Sequence, residues 1–190
     1  MAFRDFSSVL VFCAVAFAGA TCHAQSPRSA TLATDVNGFE LGMPISEVGT
    51  KLKLERLGYG QYDGKDGMFA YNFEVTPLGR VYRITSQQTL GNFIVDQTFR
   101  LALRKKLSEK YGPPHDAIGS DMWTWRLVEK VENTEGEIQP IETMRMTASV
   151  TGVELEHTVE ITLIDFRILA IDRARVNSKP RTNAEQEVKF

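Results

Sequence analysis

Cysteine is nearly absent from this chain, and the little there is sits where it would be lost. Of 190 residues only Cys13 and Cys22 are cysteine. Both lie in an N-terminal stretch that reads as a secretory signal. If that signal is removed after Ala24, residues 25–190 hold no thiol, which excludes an intramolecular disulfide and a thiolate nucleophile. Histidine is scarce as well: of three in the chain, His115 and His157 remain beyond the signal. Charge of one sign is also lacking. Twenty-two Lys and Arg stand against 24 Asp and Glu, a net of −2, and loss of Arg4 and Asp5 with the signal leaves that balance unchanged. Nothing there argues for nucleic acid or an anionic membrane as partner. Finally, no apolar run reaches the roughly 20 residues that a membrane-spanning helix needs.

What is present begins with the signal. Arg4 precedes an unbroken run of apolar and small residues from Val9 to Ala20, too short to span a bilayer but suited to the h-region of an export signal. Ala18, Gly19 and Ala20 form one A-x-A site. Cys22, His23 and Ala24 form a second, preferred here because it leaves a polar c-region. The residues before Cys22 depart from a lipoprotein signal, so the expected product is a soluble periplasmic or secreted protein. Residues 25–36, rich in Ser, Thr, Ala and Arg, read as a disordered leader, 37–176 as a single domain with one core, and 177–190 as a polar tail.

The clearest element lies between Asn92 and Pro114. Val95, Phe99, Leu103, Leu107 and Tyr111 recur every four residues and Ala102 widens the stripe, as the buried face of a helix requires. Asn92 suits an N-cap and Gly112 a C-cap, and Pro113 and Pro114 prevent continuation. Upstream, Pro44 opens a shorter helix with Ile45, Val48, Leu52 and Leu54 towards the core and Gly58 as its stop. The stretch from Gly58 to Gly67 reads as a connection. Phe69, Tyr71, Phe73 and Val75 then alternate, Thr76 to Gly79 forms a turn, and Val81 to Thr89 returns as the second strand of a hairpin.

After the main helix, Trp123, Trp125 and Leu127 share one face of a strand over Met122–Val128. Glu129 to Pro140 reads as an acidic connection. Met144, Met146, Ala148 and Val150 alternate next, and Thr151 and Gly152 read as a turn. Val153, Leu155, Val159, Ile161 and Leu163 then share one parity, with His157 among them. The switch to Ile164, Phe166, Ile168 and Ala170 predicts a β-bulge near Asp165. Together these elements predict an α+β fold: an antiparallel β-sheet with two helices packed on one face, in a tandem helix–hairpin repeat.

No chemistry-bearing motif accompanies this pattern. His115 and Asp116 follow two prolines, where a polar pair needs no function, and no metal-ligand spacing joins His157 to Glu154, Glu156 or Glu160. There is no G-x-S-x-G, and Ser120 and Asp121 read as a turn. Glu129, Glu132, Glu135 and Glu137 read as a solvated charge run rather than paired acids. The glycines from Gly58 to Gly67 lack the Lys and Ser/Thr of a phosphate loop. No catalytic residue, metal or cofactor is therefore expected. Aromatic residues are left as binding candidates: Tyr59 and Tyr62, read as lying in a loop that no apolar stripe claims, and Trp125 beside an apolar pocket between helices and sheet. If the sheet leaves one face uncovered, that open face is the other candidate surface.

One resemblance can be stated. The run from Gly38 to Val48, with Gly42, Met43, Ser46, Glu47 and Val48, resembles the G-M-T/S-x-x-E-V opening of small exported bacterial domains. These include the barrel-assembly lipoprotein and the β-lactamase inhibitor protein. Lys110 to Pro114 followed by Trp123 and Trp125 is similar to their "helix, Y-G-x-P, strand with Trp" ending. Pro44 stands where that pattern has Thr or Ser. The resemblance implies a protein-binding module and not an enzyme, and names no partner. With no catalytic constellation in the chain, the leading expectation is that it holds another envelope or secreted protein, without stable membrane insertion. A carrier of small apolar ligands is the alternative, and a cell-wall-acting enzyme comes third.

Overall fold

The computed structural model describes residues 32–91, 94–132, 134–153 and 156–178. The signal, most of the leader, Asn92 and the tail beyond Ser178 lie outside them. The chain orders earlier than its composition suggests. Leu32 and Val36 are buried, and β1 (Asp35–Val36) pairs with β2 (Phe39–Glu40) in a small two-stranded sheet. The tight turn between them sets Asn37 at φ 51°. From there its side-chain amide donates to Tyr71 Oη at 3.2 Å and Ser86 Oγ at 3.3 Å. Phe39 meets the rings of Tyr71 and Phe73 edge-on. Residues 32–36 thus help close the core and do not belong to a disordered leader.

Helix α1 (Ile45–Lys51) starts after Pro44 as expected, but it is short. Leu52 is already extended, and Leu54 and Gly58 belong to strand β3 (Leu54–Gly58), so Gly58 is no helix stop. The glycine-rich connection is itself a hairpin, β3 with β4 (Gln61–Asp66). Gly64 explains why: it is buried in β4, and a Cβ there would overlap the side chain of Leu52. A glycine that looks like loop chemistry is making room for the helix to approach the sheet. β5 (Phe69–Val75) and β6 (Val81–Gly91) form the expected hairpin, with Gly79 at φ 77° in its turn.

Helix α2 (Gln97–Tyr111) is capped by Asp96, whose carboxylate accepts from Phe99 N at 2.8 Å. Gly112, at φ 82°, ends it. Val95, Leu107 and Tyr111 are buried, and Phe99 and Leu103 half-buried, but Ala102 faces solvent. Then follow β7 (Asp116–Ile118), β8 (Met122–Glu132), β9 (Ile138–Val153) and β10 (Glu156–Asp165). The acidic connection expected over 129–140 is mostly strand: β8 and β9 pair as far as Glu132 with Ile138. Thr151 and Gly152 lie within β9, not in a turn. The parity change at Ile164 is the start of a third helix, α3 (Phe166–Asn177). Asp165 caps it by accepting from Arg167 N and Ile168 N, and no bulge lies there.

The main sheet is antiparallel throughout, in the order β3-β4-β5-β6-β10-β9-β8-β7. The four strands after α1 and the four after α2 therefore occupy opposite halves and meet where β6 pairs with β10. The α+β class holds, with a larger sheet and one more helix than expected. One parity carries the core. Phe73, Ile84, Leu163, Met146 and Trp125 pair in sequence across five strands, and none has any exposed surface. Val48 of α1 and Leu107 and Tyr111 of α2 belong to the same cluster. Helix α3 is tied on by a polar contact instead. The fully buried Asp172 accepts from Thr76 Oγ1 at 2.6 Å and Arg80 Nε at 2.9 Å, with Arg80 Nη2 as a third donor.

Candidate functional site

The residues between the core positions make up the other face of the sheet. Register fixes their order. Glu55, Asp63, Asn72, Thr85, Thr162, Thr147, Thr124 and Asp116 are consecutive partners across all eight strands. Four threonines thus stand side by side at the middle of the sheet, where β-branched residues suit the pleat. Thr85 and Thr162 hydroxyls lie 3.1 Å apart. On one side runs Lys65, Ala70, Gln87, Glu160, Ser149, Met122 and Ile118. On the other runs Gln61, Glu74, Arg83, Ile164, Arg145 and Arg126. Thr89, Thr158 and Thr151 add a short fourth row.

The face is polar, with charges of both signs spread among its hydroxyls and amides. Its arginines are matched locally: Arg83 donates to Glu74 at 2.9 Å, Arg145 holds Glu142 through two bonds of 2.6 Å, and Arg126 pairs with Asp116 at 3.0 Å. The guanidinium of Arg145 keeps the Glu142 carboxyl below its ordinary range. Burial, and then its bond to Glu74, push the Tyr82 phenol up to about 12, so Tyr82 remains a donor to Glu74 at neutral pH. Thr124 and Thr162 at the centre are buried, while Gln61, Lys65, Gln87, Thr89 and Thr151 are exposed. A hollow of about 200 Å³ opens over β4, β5 and β6, lined by Asp63, Ala70, Tyr71, Asn72, Thr85 and Gln87.

The aromatic residues singled out from sequence do not converge. Tyr59 sits at the β3–β4 turn, 86% exposed. Tyr62 is not in that loop. It lies in β4 opposite Phe73, half-buried against the core. Trp125 is fully enclosed, its indole N–H donating to Gly112 O at 2.6 Å, so it presents no surface to a ligand. A second hollow of about 260 Å³ lies between α2 and the β7–β8 turn and is lined by Trp123, not Trp125.

His115 caps the edge of β8, its Nδ1 accepting from Arg126 N. His157 is on β10, three strands from β7 in the sheet, half-buried with Nδ1 unpartnered among the described residues. Among those residues no group of three or more His, Cys, Asp or Glu is placed to hold a metal ion, and no helix is long and apolar enough to cross a membrane. Asn72, Thr85, Thr124, Thr147 and Thr162 all lie between core positions of alternating runs, so these rows belong to the sheet face that the sequence offers as a candidate surface beside the Tyr59–Tyr62 loop. No known protein family, characterised protein or solved structure matches this chain.

Proposed function

We propose that the chain is a non-catalytic exported protein-binding module, and that the polar face of its sheet holds another envelope or secreted protein, as an assembly partner or an inhibitor would. The observation that carries this reading is the contrast between the faces: one is consumed by the core, while the other offers registered rows of mostly polar side chains with a line of hydroxyl and amide groups at its centre. Its size fits. Eight strands at about 4.8 Å span roughly 34 Å, and four rows extend roughly 20 Å along them. That is on the order of the ~800 Å² a standard interface takes from each partner. An interface need not be more apolar than ordinary surface.

The order of parts, a helix and four strands followed by a second helix and four strands, supports reading the chain as a tandem duplication with α1 and α2 on the same face. The opening motif and the Trp strand support kinship with the small exported binding domains it resembles. An apolar-ligand carrier has less behind it. Neither hollow reaches the roughly 300 Å³ at which small-molecule sites begin, and Trp125 lines neither.

Cross-linked affinity capture from the native envelope tests the proposal. One dominant protein should be recovered with the unaltered chain and lost with Ser149→Arg, which places a long cation in the middle of the face. Equal recovery with Ser149→Arg would overturn the sheet-face reading.

A further inference from the structure

The hollow over β4, β5 and β6 has carboxylates at its border. A carboxylate can only accept, so each neighbouring amide must turn its NH₂ towards it. Asn72 Nδ2 donates to Asp63 Oδ1 at 2.7 Å, and Gln87 Nε2 donates to Glu160 Oε2 at 2.8 Å. Each amide keeps its oxygen and one N–H, Asp63 keeps its second oxygen, and the Thr85 hydroxyl lies 3.1 Å from that of Thr162. Glu55 is the direct partner of Asp63 on β3, so a further carboxylate borders the same end of the row. Lys65 is the nearest cation in register, two residues from Asp63 on β4, and it makes no ion pair among the described residues. Three carboxylates against one ammonium leave the rim negative.

From this we infer that the hollow is a socket for a lysine or arginine side chain presented by the protein partner. The inference rests on the sheet-face reading above and specifies its chemistry. Volume argues the same way. About 200 Å³ is below the roughly 300 Å³ where small-molecule pockets begin and room for several waters at ~30 Å³ each, a space that one long side chain can fill. The cation would be drawn to the Asp63 carboxylate and could donate to the amide oxygens of Asn72 and Gln87. Such a contact specifies register and partner choice more than it adds raw affinity.

Amide-resolved NMR titration of the purified, isotope-labelled protein tests the socket. The probes are Nα-acetyl-lysine methylamide and its arginine and glutamate counterparts at low salt. Saturable shifts are expected at Asp63, Asn72, Thr85 and Gln87 with the two cationic compounds and not with the anionic one. Asp63→Asn keeps the shape and removes the charge, so it should weaken binding about fivefold, and added salt should do likewise. No saturable shift at those four amides, or equal affinity in Asp63→Asn, would overturn the inference. The two readings fail separately. If capture is lost with Ser149→Arg while the cationic compounds move nothing, the sheet face stands and the socket falls. If the compounds bind as expected but no partner is captured, the socket stands as a cation site and the partner reading falls.

Discussion

Two rows one residue apart tell opposite stories. Phe73, Ile84, Leu163, Met146 and Trp125 cross the sheet without any exposed surface. Displaced by one position, Asn72, Thr85, Thr162, Thr147 and Thr124 cross the same strands as a line of hydroxyl and amide groups. Backbone hydrogen bonding is shared, so the two rows differ only in side chains. The first row is large, branched or aromatic and stabilises the fold by burial. The second is short and polar, with a modest stake in stability, and is therefore free to be shaped by recognition. Substitutions in the two rows should accordingly separate stability from binding.

The largest effect belongs to the buried row. Trp125→Ala removes an enclosed ring together with its hydrogen bond to Gly112 O and should cost about 3–5 kcal/mol, read as a shift in the denaturant midpoint. An equal loss from Thr147→Ala would erase the distinction between the rows.

Next comes Asp172, which holds α3 from within. Asp172→Ala would leave Arg80 without its partner. Because Arg80 is about a third exposed, water can reach it, and the cost should be nearer 2–3 kcal/mol than the full penalty for a broken buried pair. The same group gives a pH dependence. Hydrogen bonds from Arg80 hold the Asp172 carboxyl below its ordinary value. Its contribution is complete above the unfolded-state pKa and is lost as pH falls through the lower folded-state value. Acid titration of stability in Asp172→Asn should therefore show a shallower fall below about pH 4 than the unaltered chain. Parallel curves would place the acid sensitivity elsewhere.

How legible the fold was depended on whether a face was covered. Alternation marked β5, β6, the start of β8 and β10, because each has core residues at every second place. It failed at 129–140, where the β8–β9 ribbon runs beyond the end of β10 and Val128, Val131, Ile138 and Ile141 are all substantially exposed. With no covered face there is no pattern to read. It failed at Gly64 because the core position in that strand is a glycine. It failed at α3 because Ile164, Phe166 and Ile168 imitate a strand, while the buried residue of that helix is an aspartate. The polar face was legible as a candidate surface but not as ordered rows. Only register shows that five separate Thr and Asn positions form one line.

Smaller effects test the open side. Ser149→Arg and Gln87→Arg should each leave stability within about 0.5–1 kcal/mol of the unaltered chain, yet abolish partner capture by placing a long cation on the face. Tyr59→Ala should do least. Its ring is 86% exposed at a hairpin tip, so little packing is lost and stability should change by less than about 0.5 kcal/mol. The informative measurement is capture, because Tyr59 is, of the three aromatics that sequence offers as binding residues, the one the fold leaves exposed. Undiminished capture in Tyr59→Ala, beside loss in Ser149→Arg, locates recognition on the strands. The reverse pair of results would move it to the β3–β4 tip and leave the polar rows as ordinary solvated surface.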